Sequence, residues 1–177
     1  MAVIHVKSIE AARQQIEVAV GLMFAGKDVV ATHTLAAASG RILIALADNR
    51  PASLDPNAYI RPGREEQVSD LMDRTMAFFQ YPDQDAAAML DGVQEEINDL
   101  MLFQCCHWYQ ALGNPLAPAM QAFMAWFVVM YPDLFIDDHP FKVRLAEADF
   151  TWLRTAPRAQ QLSFGQKLLT ANTPLGE

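Results

Sequence analysis

The residues with the most chemical reach lie in one run, Cys105-Cys106-His107-Trp108. A thiol and an imidazole form a nucleophilic pair when their side chains converge and a third group orients the base. Consecutive positions on a helix point about 100° apart, and positions two apart diverge further. Neither cysteine therefore reaches His107, and no catalytic residue is assigned. Both cysteines read as reduced, buried thiols, because neighbours along the chain sit too close for ordinary disulfide geometry and no CxxC partner exists. His107 reads as a buried imidazole bonded to a neighbouring helix. His33 stands between Thr32 and Thr34, a polar trio in an apolar stretch. It either faces a ligand or is a hydrogen-bonded or surface histidine. His33, Thr34 and His107 are kept as ligand-binding candidates.

Two acidic groupings invite a metal reading. Carboxylate-bridged metal sites in helical bundles need Glu-x-x-His on two helices. No Asp or Glu in this chain has a His three residues on. Glu96 and Asp99 share a face, but they open a long helix, where solvated acids suit the helix dipole. In Asp137-Asp138-His139-Pro140, two acids and an imidazole could hold a cation, but Pro140-Phe141 looks like a helix opening, so capping is the better reading. No metal and no cofactor is expected.

Charge bears on partners. The formal net charge is −8, and the basic residues are scattered. An acidic chain repels phosphate backbones, so no duplex nucleic acid is expected as a partner. RNA-cleaving bundles of the HEPN type resemble this chain in size and helical content. Their signature is an Arg followed, after a short spacer, by a His, and none of the nine arginines here has one. A HEPN-like bundle of this sequence lacks the usual catalytic motif.

The elements that must position these residues are helical throughout. Ser8 reads as the N-cap of a first helix, with Ile9, Ala12, Ile16, Ala19 and Met23 on one face and Gly26 as its stop. Asp28 caps a second helix that runs to Asp48 and carries the small-residue run Ala36-Ala37-Ala38-Ser39-Gly40, suited to close packing. Residues 49–63 hold three prolines and a glycine and read as a loop. Helices follow over 65–79, 83–90, 93–112, 117–130, 141–155 and 157–170. Residues 100–132 contain no Asp, Glu, Lys or Arg. Gln104, His107, Gln110, Asn114 and Gln121 interrupt them, so neither arm offers the roughly 20 continuous apolar residues of a membrane span. They read as the buried centre of the bundle, and no membrane partner is expected. The fold class is an all-α, single-domain bundle of six to eight helices with a central apolar hairpin. Its folded core is residues 7–171, with a flexible tail over 172–177.

Several segments resemble a family of small bacterial all-helical proteins. They are residues 9–16, His33-Thr34-Leu35-Ala36-Ala37-Ala38, Phe78-Phe79 with Pro82-Asp83-Gln84-Asp85-Ala86, Met120-Gln121-Ala122-Phe123 and Tyr131-Pro132-Asp133-Leu134-Phe135. The resemblance implies a bacterial origin and a helical fold, and it brings no activity. The positions it singles out are His33, Thr34, Phe79, Asp83 and Asp85, with Asp85 capping a helix and bonded to His33. The family favours Lys-His where this chain has Gln80-Tyr81, which removes a basic, titratable pair.

Apolar residues make up 52% of the chain and charged ones 19%, against averages of about 45–50% and about 25%. A second copy of the chain would cover the excess apolar surface. The functional expectation is a cytoplasmic, non-enzymatic homodimeric interaction protein. The alternative is a bundle that binds a small apolar ligand in a pocket between the second, third and fifth helices. The aromatic and methionine stripe Phe123, Met124, Trp126, Phe127, Met130 and Tyr131 could line an apolar ligand pocket, but at helical spacing it reads as core or dimer interface.

Overall fold

The computed structural model describes residues 5–48, 60–64 and 96–172. The helices expected over 65–79 and 83–90, most of the loop 49–63, and the tail beyond Asn172 lie outside the described residues. What is described is all-α: α1 (Ser8–Phe24), α2 (Val29–Asp48), α3 (Glu96–Ala111), α4 (Pro118–Met130), a 3-10 turn (Pro132–Leu134), α5 (Pro140–Leu145), α6 (Thr151–Arg154) and α7 (Arg158–Asn172).

Helix α1 forms on the expected stripe and buries Ala12, Ile16, Ala19, Val20, Met23 and Phe24. Its cap differs from expectation. Lys7, extended at ψ 149°, is the N-cap, and Ser8 is the first helical residue. No side chain caps this end. Glu10 supplies the favourable charge in the first turn and bonds Arg13 Nε at 2.9 Å. At the other end, Gly26 takes φ 60°. Its N–H bonds the Met23 carbonyl and Lys27 N–H bonds the Leu22 carbonyl, a Schellman closure that needs the left-handed residue. Asp28 then accepts from Ala31 N at 3.0 Å and starts α2, which returns antiparallel against α1.

Small residues on α2 let α3 approach. Ser39 Oγ lies 3.3 Å from Cys105 Sγ, and Cys105 Sγ lies 3.2 Å from the Ala36 carbonyl. A Cβ on Gly40 would meet that sulfur at 3.6 Å, ordinary contact. Helices α3 and α4 are the centre. Met120, Phe123, Trp126 and Phe127 of α4 and Leu102 and Cys106 of α3 are fully buried. Phe103 stacks on Phe127 at 4.7 Å and 6°, and Phe135 meets both rings edge-on. Each large apolar side chain buried this way contributes about 1.5–3 kcal/mol. Of the described helices, α2 alone is long and apolar enough to cross a membrane, and it places Thr32, His33, Ala36, Ala37, Ser39 and Leu43 in the core.

The helix expected over 141–155 is two short helices instead. Asp149 accepts from Thr151 N at 2.8 Å, so its side chain opens a new helix rather than extending the old one. Helix α7 closes the bundle against α1 and α4. Gly165 makes that approach. A Cβ there would fall 2.2 Å from the Phe24 ring. That ring is held edge-on against Trp126 at 5.5 Å. An alanine in a helix ordinarily stabilises relative to glycine by roughly 0.5–1 kcal/mol. Here Gly165→Ala is expected to destabilise by about 1–3 kcal/mol through overpacking. Urea unfolding of the two proteins checks this, and a stabilised variant would mean that α7 does not dock on Phe24.

Candidate functional site

Thr32, His33, Asn98 and Asp99, buried polar residues of α2 and α3, lie where these helices, the end of α4 and α7 meet, while Ser39 lies beside Cys105 and His139 before α5. From α2 comes His33, fully buried, with Nδ1 2.9 Å from Asn98 Oδ1. Asn98 Nδ2 donates to the Val29 carbonyl at 3.0 Å. That bond fixes the amide orientation, so Oδ1 faces the imidazole and His33 Nδ1 carries the proton. Thr32 donates to the Asp28 carbonyl at 2.9 Å.

Beside Asn98, the carboxylate of Asp99 is wholly buried. Arg158 grips it with two bonds, 2.7 and 2.9 Å, and Tyr131 donates its hydroxyl at 2.7 Å. The Arg158 guanidinium lies 5.3 Å over the Trp126 ring, and Trp126 Nε1 donates to the Gln161 carbonyl at 2.8 Å. This overturns the reading of Asp99 as a solvated acid at a helix start. The missed signal is the spacing itself. Asp99 falls on the stripe of Leu102, Phe103 and Cys106, all buried, so its side chain enters the core.

The candidates separate. Thr34 is exposed and bonds its own helix at the Val30 carbonyl, so it does not share the surroundings of His33. His107 is half-buried and stacks on Phe103 of its own helix, with centroids 5.7 Å apart. Phe79, Asp83 and Asp85 lie outside the described residues, as do the expected pairing of His33 with Asp85 and the third helix of the expected pocket. Both cysteines are buried. Burial pushes the Cys105 thiol up to about 11 and Cys106 well above its usual value, so neither is a nucleophile at neutral pH.

In the loop before α5, the cap is His139 rather than an acid. Its Nδ1 accepts from Phe141 N at 3.2 Å. Burial first, then the nearby His107 and Lys142, push its pKa down to about 4. Asp137 instead accepts from Lys142 at 2.7 Å and Arg61 at 3.2 Å, which hold its carboxyl below the usual range. Among the described residues, no three His, Cys, Asp or Glu side chains group as metal ligands.

The arrangement positions helices and leaves no reactive group poised among these residues. No family model matches the chain, and no curated protein or solved structure is significantly similar to it.

Proposed function

We propose that the protein is a non-enzymatic interaction protein that works as a homodimer, joined through the α5–α6 arm. The observation that carries the reading is the exposure of large apolar side chains there: Trp152 is 55% exposed and Val143 60%. An indole left this open to water is a ready interface anchor. Beside it, a hollow of about 220 Å³ runs between α4 and the arm, walled by Val128, Val129, Leu145 and Phe150.

The arm's charges favour a second copy as the occupant. Lys142, Arg144 and Arg154 stand in the same short segment as Glu147 and Asp149. In a two-fold interface each residue meets a different residue of the same patch. A mixed-sign rim around an apolar centre is complementary to itself, as interfaces require. The non-enzymatic half of the reading draws on chemistry already described: raised thiols, a depressed His139 and an Asp99 enclosed by donors. A cytoplasmic location accords with two free cysteines, since thiols stay reduced there.

Sedimentation velocity on wild type and Trp152→Glu tests the proposal. The variant is expected to weaken self-association by at least about thirtyfold, the loss of roughly 2 kcal/mol typical of a central anchor. Its helical circular dichroism should be unchanged. A dimer as tight as wild type would move the interface elsewhere.

A further inference from the structure

The turn between α1 and α2 and the flank of α7 border two hollows that share Gly26, Arg158 and Leu162. The inner one, about 60 Å³, has a mixed lining, with Met23, Val29 and Leu162 among its walls. Lys27, Thr32 and Asn98 line it with Arg158, and none of the described residues that line it is acidic. It exceeds several times over the roughly 10–15 Å³ that a single water needs. The outer one, about 590 Å³, is an open trough along α7, with Phe24, Ala159 and Leu162 on its walls. At their junction the chain carries Gly26, where even a Cβ would meet nothing within 4 Å.

The two ends differ in chemistry. Arg158 reaches the inner hollow with its guanidinium already oriented by Asp99 and by the Trp126 ring. Asp99 balances its charge. Lys27 is exposed in that lining and makes no ion pair among the described residues, so their charges leave the inner end one positive charge. The Lys27 ammonium, with the Arg158 guanidinium in the same lining, attracts a carboxylate. The trough beyond them offers aromatic and aliphatic walls to a short hydrocarbon.

We infer that this cleft binds a small amphipathic carboxylate, with its head in the inner hollow near Lys27 and Arg158 and its apolar body along α7. The site is separate from the α5–α6 arm and independent of dimer formation. Titration calorimetry with octanoate and with 1-octanol, which has the same chain and no charge, tests it on three proteins: wild type, Lys27→Glu and Ala159→Trp. Both substituted positions are exposed, so the fold is retained, and circular dichroism verifies this. Octanoate is expected to bind wild type saturably at one site, with octanol at least about tenfold weaker. Lys27→Glu is expected to weaken octanoate by at least about tenfold, and Ala159→Trp, which fills the trough, to abolish binding. Octanoate binding that is absent, matched by octanol, or indifferent to both substitutions overturns the inference.

Discussion

Asp99→Ala is expected to destabilise the protein by about 3–5 kcal/mol, a large part of the roughly 5–15 kcal/mol that holds a domain folded, because one partner of a buried ion pair is removed. The carboxylate is wholly buried and accepts three bonds, two from Arg158 and one from Tyr131. Without it, the Arg158 guanidinium loses the group that orients it. The three donors come from α7 and from the end of α4, so the loss falls on the joint between three helices rather than on one. Two controls separate charge from packing. Tyr131→Phe removes a single bond to an ionised acceptor and should cost about 1.5–3 kcal/mol. Asp99→Leu with Arg158→Met removes both charges, and replacing a buried pair with apolar groups is often close to neutral. Urea unfolding measures all three. A change under about 1 kcal/mol for Asp99→Ala would mean that the carboxylate reaches water.

The second large effect is on pH. His139 is 4% exposed and takes a proton only at about 4, against a usual 6.5. The sign follows from which state holds the proton. Below pH 6.5 the unfolded chain protonates this histidine and the folded chain does not. Stability is therefore full above about 6.5, falls as pH drops towards about 4, and stops falling from this source below that. The depression corresponds to an upper bound of about 3 kcal/mol. Protonation would also remove the lone pair on Nδ1 that accepts from Phe141 N and caps α5. His139→Asn keeps a capping oxygen and removes the titration. It should hold most of the stability at pH 7 and flatten the decline between pH 6.5 and 4. An Asn variant that declines as wild type does would assign the pH dependence to other groups. The loss begins beside the proposed interface, because α5 carries Val143 and Arg144.

Local signals were legible in the sequence wherever one residue decides the geometry. Gly26 closes α1 because a left-handed residue is needed there, and Asp28 caps α2 through its own oxygen. The absence of charge over 100–132 identified α3 and α4 as the centre, since only burial on most sides removes the need for a polar face. What stayed hidden depends on distant partners. Asp99 looks like an ordinary acid in a first turn. Arg158, 59 residues on, and Tyr131, 32 on, explain why it can be buried. Likewise, Asn98 carries no motif, yet it fixes the tautomer of His33 from another helix. The break within 141–155 has a local cause, the Asp149 side chain, but helical periodicity alone reads through it. His33 stands out among apolar neighbours, and among the described residues its ring meets the Asn98 amide oxygen of another helix.

We propose self-association through the α5–α6 arm as the basis of function. Native mass spectrometry of the purified protein across the micromolar range tests it most directly. The expected result is the mass of two chains with no metal adduct, shifting to one chain for Trp152→Glu. A wild-type protein that remains one chain throughout would contradict it.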